Sequence, residues 1–258
     1  MTENNRDAVR AQFGARAHGY VESPGHAAGA DLRLLIEGLP TGPGLRALDV
    51  ATGTGHTALA LAPRVGDAVG LDLTPEMLAE AARLAAERGV RNVTWALGDA
   101  HALPFPDVTF DIVTTRRAAH HFANVARFLQ DARRVLKPGG TLGIVDQSVP
   151  EVPEAAAPIW EMEKRRDPSH VRAWSGAEWR RMLEAASFAV ESLELAVERR
   201  DVEEWLELAG SGQAGAARVL NSLLAASPAA LQGNAFSRDA AGRWSFDKLR
   251  VVILARAR

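Results

Sequence analysis

The segment Asp49-Val50-Ala51-Thr52-Gly53-Thr54-Gly55 gathers residue types suited to holding a ligand by the main chain. It follows an apolar run, Leu45 to Val50, and precedes a helical stretch from about His56. Glycines at such a strand-to-helix handover let the backbone approach a ligand closely, and the first helical turn offers unpaired N–H donors. Read as Gly53-x-Gly55-x-x-Ala58, the turn also fits a dinucleotide fingerprint, and Asp72, ending the next apolar run, could hydrogen-bond a ribose in either case. By itself the turn specifies a nucleoside-containing ligand and no more. Charge separates the candidates. A pyrophosphate seated here would bring two negative charges towards Asp49, and a like-charge contact at ~4 Å costs roughly 4 kcal/mol at protein-like effective dielectric. S-adenosylmethionine has no phosphate and carries an ammonium and a sulfonium, both favoured by an acidic neighbour. Asp49 therefore favours S-adenosylmethionine. The competing reading is that its carboxylate only organises the turn, and the two roles can coexist.

A second group, Arg116-Arg117-Ala118-Ala119-His120-His121-Phe122, follows a later apolar run. Open α/β sheets bind ligands at the carboxyl ends of their strands, and histidine, which titrates near neutral pH, is the natural base there. Successive helical residues diverge by about 100°, so at most one of His120 and His121 should face a cleft. The alternative is that one packs, the other bonds the loop, and neither takes a proton. Adjacent, diverging side chains with no carboxylate at matching spacing make a poor metal site, so no metal is expected. Arg165-Arg166-Asp167-Pro168-Ser169-His170-Val171-Arg172 is the other dense polar cluster. Arg166 and His170 are candidates for gripping an anionic substrate beside His121, since paired arginines suit carboxylates and phosphates. Its plainer reading is a solvated helix end with local Arg–Asp pairs. Trp160, Trp174, Trp179 and Trp205 could line an apolar substrate pocket or simply pack a core, and His18, His26, His56 and His101 belong to no evident constellation.

The elements that must position these residues alternate. Apolar strand runs are expected at Leu45 to Val50, Ala68 to Leu73, Val93 to Leu97, Phe110 to Thr115 and Thr141 to Val145, with helices between them. Thr74-Pro75 marks a helix start and Gly89 its stop, while Lys137-Pro138-Gly139-Gly140 ends a helix running from about Asn124 to Leu136. Nearly all-apolar strands alternating with helices imply a parallel sheet covered on both faces, hence a doubly wound α/β fold. Before this core, Asn5 to Tyr20 reads as an amphipathic helix carrying Val9 and Phe13, and Leu32, Leu35, Ile36 and Leu39 mark a second. After it, Glu151 to Arg166 reads as helix, Ser175-Gly176-Ala177-Glu178 as a capping box, and Phe188 to Val197 and Leu249 to Ala255 as strands.

Composition bounds the function. The chain has 258 residues, 47% hydrophobic and 24% charged, the balance of an ordinary globular protein. Thirty Lys+Arg against 32 Asp+Glu leave a formal charge of −2, without the positive excess of a protein that grips duplex phosphate, so no nucleic-acid partner is expected. The absence of cysteine excludes disulfides, thiolate metal sites and a cysteine nucleophile. The polar start, Met1 to Arg10, has no signal-peptide run and no stretch is long enough for a membrane span, so a cytoplasmic location is the expectation. A homodimer is compatible with the sequence.

Further segments recur in order. Gly98-Asp99-Ala100 follows the third strand, where a short carboxylate can accept from an adenine amine while a backbone N–H serves a ring nitrogen. Leu103-Pro104-Phe105, Phe110-Asp111-Ile112-Val113 and Leu136–Gly140 come next. With Leu48–Gly55 and Gly70–Met77, these motifs span roughly residues 45–145 and resemble the class I S-adenosylmethionine-dependent methyltransferases, most closely the ubiquinone/menaquinone C-methyltransferase (methyltransferase type 11) group. Gln12-Phe13 with Tyr20 resembles the helix that covers the cofactor in this group. Ala51 departs from the pattern, standing where many methyltransferases have the first glycine of the turn. The resemblance implies a Rossmann-like, seven-stranded, mostly parallel sheet in one domain: a helical cover (1–40), a cofactor-binding core (41–147) and substrate-side helices with the last strands (148–258). It implies that Asp49, Ala51, Gly53 and Gly55 hold the methionine part and that Asp72 holds the ribose. Leu73 and Met77 would lie beside the adenine, Asp99 and Ala100 at its edge, and Tyr20 and Arg116 beside the cofactor. Met77 reads equally well as core. The implied activity is in-line methyl transfer to a small-molecule acceptor, with His120 or His121 as the base if one is needed. The competing functions are an S-adenosylmethionine-binding protein without transfer and an NAD(P)-dependent oxidoreductase.

Overall fold

The structure, a computed structural model, describes residues 3–14, 27, 29–208, 219, 221 and 228–258. Its centre is a sheet of strands β1 (Gly42–Val50), β2 (Val65–Asp72), β3 (Val93–Leu97), β4 (Phe110–Arg116), β5 (Leu136–Ser148), β6 (Phe188–Asp201), β7 (Ser237–Arg238) and β8 (Trp244–Ala257). The order is β3-β2-β1-β4-β5-β8-β6, with the two-residue β7 pairing against β8. The first five strands pair in parallel, whereas β8 runs antiparallel to both β5 and β6. Seven strands therefore form the path, as expected, and a short eighth pairs with the start of β8 off that path.

Alternation along the strands builds two apolar layers. Leu48, Val113, Ile144 and Ile253 point to one face, where they meet Phe128, Leu129, Ala132 and Val135 of α5 (Val125–Val135) and Trp179 and Leu183 of α7 (Gly176–Ala185). Ala47, Ile112, Val145 and Val252 point to the other, under Leu32, Leu35 and Ile36 of α2 (Ala30–Gly38) and Leu61 of α3 (His56–Leu61). Helix α4 (Pro75–Glu87) covers β2 and β3, and α1 (Glu3–Gly14) lies against α4. A separate apolar cluster joins Met162 of α6 (Pro153–Arg166), Trp205 of α8 (Val202–Leu208) and Phe246 of β8; a last helix, α9 (Pro228–Gly233), packs on α6.

Several boundaries differ from the sequence reading. Helix α1 is described over Glu3–Gly14, starting two residues before the expected Asn5; the rest of the expected helix, with Tyr20, lies outside the described residues. Strand β5 begins five residues early, because Leu136 already pairs with Phe110 and the Gly-Gly turn forms a bulge between that contact and the regular ladder from Thr141. Strand β8 begins at Trp244, because its pairing with β6 continues to Ser245 opposite Asp201. The expected capping box of α7 is present, with Ser175 Oγ accepting from Glu178 N–H and the Glu178 carboxylate accepting from Ser175 N–H.

Strands β1 and β4 are neighbours whose connections leave towards opposite edges of the sheet, and a crevice opens at their carboxyl ends. Beside it, Gly70 of β2 pairs with Asp49 on one side and Trp95 on the other, so a Cβ there would stand 2.5 Å from the Trp95 ring and 3.0 Å from Thr52 Cγ2. Overpacking of this kind costs about 1–3 kcal/mol. Gly70→Ala is expected to lower unfolding stability by that amount, measured by urea denaturation at constant m-value.

Candidate active site

The crevice holds a cleft of about 950 Å³, part of it open to solvent. Its floor is the glycine turn after β1. Asp49, 2% exposed, accepts hydrogen bonds from Thr52 Oγ1 at 2.6 Å and Thr114 Oγ1 at 2.7 Å, one on each carboxylate oxygen. Burial pushes its carboxyl up to about 6 despite these bonds. Both readings of Asp49 thus meet in one residue: it organises the turn, and it leaves a buried acidic group on the cleft wall.

Asp72 ties the next strand to the same turn. One oxygen accepts from Gly53 N–H at 2.7 Å and the other from Thr74 N–H at 2.9 Å, so the carboxylate fixes the residue that begins α4, whose own side chain makes no capping bond. Burial raises its pKa as well. The backbone of the turn is bent into the left-handed region three times, at Ala51 (φ +55°), Gly53 (φ +54°) and Gly55 (φ +82°). At Ala51 that conformation costs a residue bearing a Cβ about 1–2 kcal/mol, which explains why glycine is usual there. At Gly55 a Cβ would come within 2.5 Å of Trp95. At Gly53 it would meet nothing within 4 Å, because it would project into the cleft itself.

The remaining walls match the sequence reading unevenly. Leu73, Met77, Asp99, Ala100 and Arg116 all line the cleft. Met77 is also 3% exposed, so its core and lining readings coincide. Asp99 accepts from the His101 N–H and ring and carries an ion pair with Arg6 of α1 at 2.5 Å. Arg116 donates to Thr57 Oγ1 at 3.0 Å and lies 3.5 Å from Asp31; burial lowers its pKa to about 10. Val9 and Phe13 of α1 roof the cleft.

At the far end His121 lines the cleft with Arg117, Ala118 and Phe122, and His120 does not. The two sit in a tight 3₁₀ turn, Ala119–His121, with their rings in contact, 4.1 Å between centroids and tilted by 44°. The His121 Nδ1 lies 3.1 Å from both the carbonyl and the hydroxyl oxygen of Ser169; the hydroxyl gives its proton to Asp167 at 2.6 Å, so both oxygens accept, Nδ1 carries the proton and Nε2 is the basic nitrogen. His120 turns to Asp146 of β5, with Nδ1 2.5 Å from one carboxylate oxygen and its backbone N–H donating to the other. Burial pushes Asp146 up to about 6 and His120 down.

Arg166 and His170, expected to face a substrate, do not line the cleft. Arg166 pairs with the buried Glu163 at 3.1 Å and stacks over Trp205, and Glu163 also bonds Lys248 at 2.8 Å. His170, 5% exposed, lies 2.9 Å from Gln147 Nε2, and burial lowers its pKa to about 3. The segment instead docks by its backbone, Val171 and Arg172 N–H donating to the His120 carbonyl. Its arginines are thus spent on internal carboxylates and rings. The tryptophans are likewise absent from the cleft wall: Trp179 and Trp205 are core, and Trp160 and Trp174 hold the Arg172 guanidinium between them. The sequence reading missed Thr114, Asp146 and Ser169. The first two carried a signal, as polar residues near the carboxyl ends of otherwise apolar runs; Ser169 did not.

Residues 48–144 match the family described as "Methyltransferase domain". The chain is 38% identical over 199 residues to the uncharacterised methyltransferase YcgJ of Bacillus subtilis, covering 77% of this chain and 79% of the relative. The chain belongs to the methyltransferase family. The YcgJ crystal structure superposes with a TM-score of 0.84 at 34% identity, covering 88% of this chain and 98% of that one. A demethylmenaquinone methyltransferase of Thermus thermophilus is 43% identical over 127 residues, which is 46% of this chain and 56% of that protein. The enzyme is therefore an S-adenosylmethionine-dependent methyltransferase, and the oxidoreductase reading falls.

The cleft fits that cofactor on its own terms. A cradle exists at Gly53 that a Cβ would fill, beside a buried carboxylate that favours a cation over a phosphate. The Gly53→Ala methyltransferase should bind S-adenosylhomocysteine at least about tenfold more weakly by calorimetry, because the methyl takes ligand space. Its stability should change by no more than about 1–2 kcal/mol, the cost of the left-handed φ.

Proposed function

We propose that this methyltransferase acts on a small-molecule acceptor seated at the His121 end of the cleft, with His121 taking the proton that the acceptor loses. The carrying observation is the hydrogen bond from His121 Nδ1–H to the Ser169 carbonyl, which leaves Nε2 as the proton acceptor beside the cleft. The cofactor supplies a methyl group on a sulfonium already activated for displacement. The bond from the acceptor atom to the methyl carbon forms as the carbon–sulfur bond breaks, and the acceptor's proton passes to Nε2. The protein's task is alignment and the exclusion of water, for which Phe13 and Phe122 supply apolar walls around the histidine. Asp49, Ala51, Gly53 and Gly55 hold the methionine part, Asp72 the ribose, and Asp99 and Ala100 the adenine edge. Asp146 holds His120 behind the reacting histidine.

Incubating the enzyme with methyl-labelled S-adenosylmethionine and a panel of hydroxyl, amine and activated-carbon metabolites tests the acceptor class. With an acceptor so found, His121→Asn is expected to lower turnover about 10²–10⁴-fold at unchanged S-adenosylhomocysteine affinity. A raised KM with full turnover at saturation would mean that His121 positions substrate only.

Asp49 gives a second outcome. Its carboxyl takes up a proton as pH falls through about 6, while the α-ammonium of the ligand stays charged. Binding favours the ionised carboxylate, so below that point it must displace a proton and weakens. One unit below the pKa only about a tenth of the sites are ionised, so S-adenosylhomocysteine affinity should fall about tenfold from pH ~7.5 to ~5. Asp72, also raised, moves affinity the same way, and Asp49→Asn should flatten most of the slope.

A further inference from the structure

His101 belongs to no constellation evident in the sequence, yet it is 5% exposed and bonded at both ring nitrogens. The backbone N–H of Asn124, which begins α5, donates to His101 Nε2 at 3.2 Å. A backbone N–H can only donate, so Nε2 is bare and the proton sits on Nδ1. From Nδ1 it is given to Asp99 Oδ1 at 2.7 Å, and the His101 backbone N–H reaches the same oxygen at 2.9 Å. Oδ1 is thereby saturated and the carboxylate cannot swing, while Oδ2 is left to the cleft, where Arg6 now meets it. Burial alone would raise the Asp99 pKa, but the His101 bonds and the nearby positive charge outweigh it and hold the group ionised.

We infer that His101 is a positioning residue for base recognition, clamping Asp99 so that one fixed, acceptor-only oxygen is presented to the 6-amino group of the cofactor's adenine. The inference rests on Asp99 serving the adenine edge, as proposed above. A 6-oxo purine places oxygen lone pairs against that carboxylate, so a clamped Asp99 rejects it; an unclamped one turns away and discriminates less. The ring packs edge-on to Phe122 at 5.6 Å, which keeps the clamp in register with the cleft wall. Arg6, 41% exposed, is free to give way to the amine.

The test is calorimetric titration of the full chain with S-adenosylhomocysteine and S-inosylhomocysteine. The unmodified enzyme should prefer the adenosyl ligand by at least about tenfold. His101→Asn puts an amide N–H where Nδ1–H stands and loses the bond to Asn124; His101→Gln does the reverse. Asn should keep the preference within about threefold, and Gln should cut it about tenfold. Urea denaturation of both variants reports the folding contribution separately. If Gln keeps the preference, or if both variants lose it equally, His101 only packs and the inference is overturned. If the unmodified enzyme shows no preference, Asp99 does not read the adenine, and that reading falls with the inference.

Discussion

The site depends on one buried carboxylate at the point where the sheet changes direction. Asp49 ends β1, and the two hydroxyls that bind it come from the turn that follows and from the neighbouring strand β4. Ionised, it is costly to bury, and two neutral donors do not restore the solvation it loses. The positive charge of Arg116 nearby offsets part of that cost. Asp72 repeats the theme one strand away, joining β2 to the same turn through Gly53 N–H. The glycine turn is therefore held in its ligand-ready shape by carboxylates before any ligand arrives, which is preorganisation in the ordinary energetic sense.

The parallel core was legible because β2, β4, most of β5 and the carboxyl half of β1 are buried on both faces and read as apolar runs. The runs at β1 and β2 close on Asp49 and Asp72, which line the cleft, and β4 carries Thr114, which bonds Asp49 from the neighbouring strand; such breaks in pattern were readable. What the sequence concealed was partner choice among charged groups. Arg166 and His170 look like a substrate clamp from composition alone. Glu163, the partner of Arg166, stands three residues earlier on the same helix at a spacing the sequence does show, whereas Gln147 on β5, the partner of His170, and Lys248 on β8, the second partner of Glu163, are brought in by tertiary packing that no local pattern encodes. The same holds for His101: Asp99 is two residues away, but Asn124 is 23 residues on, and the tautomer depends on where α5 begins.

The histidine pair illustrates the limit in a different way. Spacing allowed only one of the two to face the cleft, and it could not say which. The choice is made by strand β5: Asp146 takes both the backbone N–H and the ring of His120, and so turns His121 outward to Ser169 and the cleft. The polar cluster behind this pair joins β5, α6 and β8, so the His121 end of the cleft is supported by the late part of the chain.

The two edges of the sheet are unlike, and the difference bears on self-association. β3 offers only five residues to an incoming strand, whereas β6 offers fourteen, with Leu195 and Val197 more than half exposed. A row of open amides that long invites a further strand to dock. Along β6, however, Glu191, Glu194, Glu198, Arg199 and Arg200 stand among the apolar residues, and four of them hold ion pairs with side chains of β8 or of β6 itself. A strand arriving at that edge must strip water from those charges, and the protein thereby keeps a long antiparallel ribbon at its border without offering it as a seed for aggregation.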